Sequence, residues 1–263
     1  MHPLCADASL ALPSGARYNA PMPEVAFIWL VVFAAVLLQS LVGFGSAMVA
    51  MALLAGRLGL PVASPLMALI AATLEAVLLA RYRQALDPGA IWRLLAGAFV
   101  GVPLGLWALG RLPEALMLGA LGLLIAGYAV YSLLGRRPPA LHHPGWAFGA
   151  GALAGLLSGA YNTGGPPVIV YGDGRRWSPE EFKGNLQSFF LFNDGLVLIG
   201  HALAGNLTAV VWGHYLAAAP AIALGLAVGL LLERRLPAGA FRRAALAALL
   251  ALGARLLWSA LGI

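Results

Sequence analysis

Charge is scarce in this chain: 10% of its 263 residues are Asp, Glu, Lys or Arg, against about 25% in soluble domains. With 61% of residues hydrophobic and a mean hydropathy of +0.87, its helices would be apolar all round. That excludes a soluble fold and puts the chain in a lipid bilayer. Cysteine is almost missing, Cys5 being the single one; an intramolecular disulfide and a thiolate metal cluster are excluded, and neither a metal nor a cofactor is expected. The sequence also lacks a GxxxxGK[ST] phosphate loop, an HExxH pair and a GxSxG turn, which removes ATP as an on-board energy source and argues against an intramembrane enzyme. The 16 basic residues exceed the 10 acidic ones, but they gather between apolar runs and form no aromatic-interleaved patch, so nucleic acid is not an expected partner. Residues 1–24, with Pro3, Pro13, Gly15, Pro21 and Pro23, lack a basic region followed by an apolar core and read as a loose tail, not a cleaved signal peptide.

What the chain does have is eight apolar segments, near 25–56, 62–81, 90–109, 114–134, 145–172, 184–204, 207–232 and 238–260. The expected fold is an all-α membrane protein. At 1.5 Å per residue the first segment is too long for one simple span, and the fifth is interrupted by Gly164, Gly165, Pro166 and Pro167, where prolines cannot donate backbone hydrogen bonds. Both are expected to be broken or re-entrant. An offset of 119 residues maps Gln39 onto Ser158, Ser40 onto Gly159, Gly45 onto Gly164, Ser46 onto Gly165 and Glu75 onto Asp194; further on, Arg111-Leu112-Pro113 maps onto Arg235-Leu236-Pro237 at 124. These landmarks predict two repeats, 25–134 and 145–263, joined by a cytoplasmic linker at 135–144.

The basic residues test how the repeats are oriented, since Lys and Arg near span ends favour the cytoplasm. If all eight segments cross once, the division of the basic residues is 6 against 9, which decides nothing. If the first and fifth are hairpins that leave on the side they enter, Arg81, Arg83, Arg93, Arg136, Arg137, Arg175, Arg176, Lys183, Arg234, Arg235, Arg242 and Arg243 face Arg17, Arg57 and Arg111, twelve against three. Each half then has three crossings, so the repeats are inverted, with both termini outside the cytoplasm.

An unwound stretch in hydrocarbon survives only if it is packed in protein or lines a wet cavity. A helix starting after each break, near Ala47 and near Pro167, would offer unpaired N–H groups and the positive end of its dipole to an anion. No segment carries a basic residue near its middle. The candidate binding residues are therefore those around the breaks: Gln39, Ser40, Gly43, Gly45 and Ser46, then Ser158, Tyr161, Asn162, Thr163, Gly164 and Gly165. Glu75 and Asp194 lie near the middle of apolar segments, where an ionised carboxylate is costly and marks a functional path; with Asn193 they are the candidate proton-coupling or gating residues. His142, His143, His201 and His214 read as interfacial, because none has a second ligand at i+3 or i+4. Trp29, Trp92, Trp146, Trp177, Trp212 and Trp258 suit an interfacial aromatic belt. Ser178-Pro179-Glu180-Glu181 reads as a helix start.

On Gly43-Phe44-Gly45-Ser46, Leu157-Ser158-Gly159 and Gly164-Gly165-Pro166, the chain resembles the sulfite exporter TauE/SafE family of membrane permeases over about residues 25–260. The resemblance implies transport of a sulfur oxyanion, such as sulfite, sulfoacetate or another organosulfonate, across a bacterial cytoplasmic membrane. The expected partners are that small anion, protons and the lipid bilayer, with a homodimer left open. An anion channel is the alternative, and an intramembrane enzyme a remoter one.

Overall fold

A computed structural model describes residues 22–82, 87–135, 138–232 and 238–260. Residues 1–21 of the expected tail, with Cys5 and Arg17, lie outside the described residues, as do Arg83, Arg136, Arg137, Arg234, Arg235 and the side chain of Arg242. The described chain is all-helical. Its helices are α1 (Met22–Val42), α2 (Ser46–Leu58), α3 (Leu60–Tyr82), α4 (Pro88–Arg111), α5 (Glu114–Leu133), α6 (Pro144–Tyr161), α7 (Gly165–Arg175), α8 (Pro179–Leu203), α9 (Ala209–Leu232) and α10 (Ala238–Ala260). Six of them, α1, α3, α4, α5, α8 and α9, are long and apolar enough to cross a membrane, whereas α2 and the Ala245–Ala260 stretch of α10 are shorter apolar helices.

Local chemistry sets the helix ends. Asp87 accepts from Gly89 N and Pro88 opens α4; His143 accepts from Gly145 N and Pro144 opens α6. Ser178 and Glu181 form a reciprocal capping box at the start of α8, as their spacing anticipates. Pro65, Pro103 and Pro220 lie inside α3, α4 and α9, a placement tolerated where neighbouring helices re-satisfy the freed backbone.

Helix boundaries repeat along the chain. α1 ends at Val42 and α6 at Tyr161, α2 begins at Ser46 and α7 at Gly165, and α3 begins at Leu60 and α8 at Pro179. Each pair is 119 residues apart. The starts of α4 and α9 differ by 121 and those of α5 and α10 by 124, which locates a small insertion late in the second half.

The most extensive packing is between halves: α4 on α6, α5 on α10, α1 on α9 and α3 on α8. The α4–α6 seam explains much of the glycine content. Gly97, Gly101 and Gly105 recur every fourth residue on α4, and Gly151, Gly155 and Gly159 do so on α6. A Cβ on any of the six would overlap backbone of the opposite helix, the close approach that small residues permit between membrane helices. Gly151 meets Leu94, Gly155 meets Ala98 and Gly159 meets Val102, so the two helices run parallel.

The belt of tryptophans is partly as expected. Trp29, Trp92, Trp146, Trp212 and Trp258 are exposed, as is Trp107, while Trp177 is packed edge-on between Tyr171 and Phe182.

Substituting Gly101→Val drives a side chain into the backbone of α6 and is expected to destabilise the protein by about 3 kcal/mol or more. Thermal unfolding in detergent measures it against Gly110→Ala, where a Cβ meets nothing within 4 Å. Equal melting temperatures for the two variants would contradict the tight seam.

Candidate functional site

Both expected breaks are real interruptions. Between α1 and α2 the chain passes through Gly43 at φ 88 and Gly45 at φ 104, backbone conformations that side-chain-bearing residues rarely adopt. Between α6 and α7 it turns at Asn162, at φ 55, a left-handed position that asparagine tolerates. Asn162 N donates to Ser158 O at 2.7 Å and Thr163 N to Leu157 O at 3.3 Å, closing the end of α6. Gly164 follows so tightly that a Cβ would strike Ser158 Oγ and Ala154 O.

The first break is held by side chains. Gln39 Oε1 accepts from both the backbone N and the hydroxyl of Ser46, and Gln39 Nε2 donates to Glu75 Oε1 on α3. From α8, Gln187 Nε2 donates to Gly43 O at 2.8 Å. The break is thus tied to both long helices that carry the buried acids.

Those helices bring the two halves together. Glu75 and Asp194 each lie fifteen residues beyond the first residue of their helices, α3 and α8. Both line one buried cavity of about 30 Å³, shared with Gln39, Gly45, Ser46, Ser158, Asn162, Thr163, Gly164, Gly165 and Phe190. Such a volume holds little more than a water molecule. Among the described residues, Glu75 Oε2, both amide atoms of Asn162 and the Thr163 hydroxyl are buried there without a hydrogen-bond partner. Buried polar atoms are normally paired, so four orphaned atoms around one cavity make it the candidate site, one that must widen to admit more than a water molecule.

Other expected site residues lie elsewhere. Ser40 Oγ donates to its own helix at Val36 O. Gly43 contributes its carbonyl to Gln187 and does not line the cavity. The Tyr161 hydroxyl donates to Met117 Sδ at 3.5 Å, away from the cavity. Asn193 is wholly buried beside Asp194 without lining it. Gln187 is the residue sequence reasoning undervalued; its signal is an amide seven residues before Asp194 in an apolar run.

His201 and His214, near the ends of α8 and α9, are buried: His201 contacts Ser64 and Asn206, and His214 lies 3.7 Å from Glu24. His143 serves as a cap. Asn185, in the second turn of α8, is buried and its Oδ1 accepts from Asp87 N at 2.9 Å. Among the described residues no three of His, Cys, Asp and Glu converge on a metal position.

Chemically the cavity offers donors without cations. No Lys, Arg or His lines it. The amides of Ala47 and Met48 in the first turn of α2, the hydroxyl of Thr163 and the amide of Asn162 can donate to an oxyanion, whereas both donors of Ser46 are taken by Gln39. α7 contributes less than a helix start ordinarily does, because Pro166 and Pro167 remove two donors from its first turn; Gly164 and Gly165 carry what remains.

A family profile described as Sulfite exporter TauE/SafE matches residues 28–256. The chain is similar to a probable sulfite/organosulfonate exporter TauE of Cupriavidus necator, 31% identical over 240 residues, covering 85% of this chain and 90% of that protein. It is also similar to a probable inner membrane transporter protein TsaS of Comamonas testosteroni, 31% identical over 166 residues, covering 62% of this chain and 70% of that one. No solved structure matches.

Replacing Gln39 by Leu leaves Ser46 and Glu75 without their shared partner in a buried site, an expected loss of about 1–3 kcal/mol. Ser40→Ala, which touches only its own helix, is expected to change little. Paired thermal unfolding curves check this; indistinguishable curves would contradict the bridging role of Gln39.

Proposed function

The chain belongs to the sulfite exporter TauE/SafE family, and from that premise we propose a multi-pass secondary transporter of the bacterial inner membrane that carries sulfite or a small organosulfonate together with protons. The observation that carries this reading is the convergence of both helix breaks, both midhelix acids and four unpartnered polar atoms on one buried cavity. The names of the two relatives supply the substrate class and the membrane.

Proton coupling follows from charge. The cavity holds two carboxyl groups and no cation. An ionised carboxylate about 5 Å from a bound anion opposes it by roughly 3 kcal/mol at an effective dielectric of 20, about a hundredfold in affinity. An anion therefore binds well only when Glu75 and Asp194 carry protons, and the two cargoes load together.

Helix directions support inverted repeats. Glu24 meets His214, Trp29 donates to Ala217 and Gly229 packs on Ser40, so α1 and α9 run parallel, as α4 and α6 do. Asp87 meets Asn185 and Leu106 meets Gly200, so α4 is parallel to α8; Gly122 meets Gly253 and Gly119 meets Ala260, so α5 and α10 are antiparallel. With α6 and α8 both parallel to α4, α7 must run back between them, and by the same reasoning α2 runs back between α1 and α3. Two hairpins and six crossings, α3, α4, α5, α8, α9 and α10, satisfy the pairs named and agree with the twelve-to-three division of basic residues; α1, long enough to cross, is in this reading the first arm of a hairpin, and α10 crosses with its full Ala238–Ala260 length.

The halves are not packed alike. α2 packs on α3, α5 and α10, whereas α7 borders an open apolar groove of about 890 Å³ between α5 and α6 that includes Tyr131, Trp146, Pro166 and Pro167. In the proposed orientation this space lies in the cytoplasmic half. A groove beside α7 suits a moving part in alternating access.

In proteoliposomes loaded with labelled sulfite, Asp194→Asn is expected to abolish flux driven by a pH gradient by at least tenfold while the protein stays folded. Unaltered coupling would remove the acids from the mechanism. Reporter fusions at Ala140 and at the C-terminus should fall on opposite sides of the membrane; finding them on one side would contradict the inverted arrangement.

A further inference from the structure

A second polar layer lies along the same α3–α8 interface and is not used by the mechanism above. His201 is fully buried on α8, seven residues beyond Asp194, and its Nε2 is 3.4 Å from Ser64 Oγ on α3, eleven residues before Glu75. At 100° per residue, seven and eleven residues each return to nearly the same helix face. The Ser64–His201 pair therefore sits in line with the Glu75–Asp194 pair, about 10 Å along α8. Asn206, half-buried in the loop after α8, places its Nδ2 3.0 Å from His201 Nδ1, and its backbone N donates to His201 O at 2.9 Å. With the Asn206 amide donating to Nδ1, the ring proton resides on Nε2 and points inward at Ser64.

Between the two polar layers is an apolar one. Ala68 on α3, Val197 on α8 and Val102 on α4 form a separate buried cluster. Ala68 is one turn past Ser64 and Val197 one turn before His201, so the cluster occupies the gap between histidine and acids. The outer end of α8 is exposed from Ala202 to Gly205, which puts Asn206 and His201 next to solvent on the face opposite the cytoplasm.

We infer that His201, held by Asn206 and Ser64, is the outer proton port of the Glu75–Asp194 pair, and that Ala68, Val102 and Val197 form the barrier that closes this route in the conformation described. This rests on the proton-coupled reading given above. In the outward-facing state the barrier parts, the Asn206 amide turns its oxygen to the ring, and His201 takes a proton from the outer solution at the freed Nδ1 and releases the one on Nε2. Ser64 or an entering water passes that proton to Asp194, and tautomer exchange through water resets the ring. No proton is gained or lost overall. The groups meeting His201 are Ser64 from α3 and Asn206 from the loop, with Leu106 of α4 lying against neighbouring Gly200; none is charged. The charged and titratable residues toward that membrane face among the described ones include Arg57 at the end of α2, Arg111 at the end of α4, Glu114, which accepts from Leu60 N at 3.0 Å, Glu24 beside His214, and Arg255 on α10.

The test is the sidedness of pH dependence in membrane vesicles of uniform orientation, with sulfite as the probe. Wild-type flux should respond to pH on both faces. His201→Gln, which can keep hydrogen bonds to Ser64 and Asn206, should lose at least tenfold of the response to outer pH and retain the response to inner pH, whereas Asp194→Asn loses both. A His201→Gln variant with wild-type response on the outer face would overturn the port. Wild-type flux indifferent to pH on either face would instead remove proton coupling and the port with it. Val197→Thr, which sets a hydroxyl in the barrier at nearly constant shape, should raise substrate-free proton leak severalfold; an unchanged leak would count against the barrier even if His201→Gln fails to fold.

Discussion

A helix that stops inside a membrane must satisfy its freed backbone groups from within the protein, and the two breaks of this chain meet that demand differently. The second closes on itself, through Asn162 N to Ser158 O and Thr163 N to Leu157 O. Its side chains are left over, and Asn162 and Thr163 face the cavity unpaired. The first break is held from outside by Gln39 and Gln187, and through them is fastened to Glu75 and to α8. One break presents groups to a guest; the other links the site to the acids.

This division connects packing to mechanism. The glycine seam of α4 and α6 fixes one rigid contact between halves, and α1 with α9 forms another around Gly225 and Gly229. The α4–α6 seam is backbone against backbone, whereas Gly225 and Gly229 meet mainly the side chains of Val36 and Ser40. α7 starts directly at the cavity and borders an open groove. In the proposed mechanism a displacement of α7 alters the donors around the guest and the exposure of the acids in one step.

Much of this was legible from residue order because the physics is local. Gly43, Gly45 and the pair Pro166-Pro167 announce breaks, since each is hard to accommodate in a continuous helix. The 119-residue offset aligned Gly45 with Gly164, and the structure makes both the residue before a helix start. Glu75 and Asp194 stood out because acids are expensive in apolar runs, and they line one cavity. Side-chain direction was not legible. Ser40 and Tyr161 neighbour the breaks in sequence but point at α1 and at Met117. The burial of His201 and His214 was not legible either, because cover by helices distant in sequence leaves no local signature. Gln187 is a visible polar residue in an apolar run, but its role was not legible because its partner, the carbonyl of Gly43, lies 144 residues away.

The central claim is that an oxyanion is held between the two breaks by neutral donors beside protonatable acids. Selenite, a heavier analogue of sulfite, makes this directly visible by anomalous scattering from crystals grown at low pH. Expected is a selenium peak within hydrogen-bonding reach of Asn162, Thr163 and the Ala47 amide, weakened when Asn162 is replaced by Leu. A peak bound instead by arginines at the membrane surface, with this cavity empty, would contradict it.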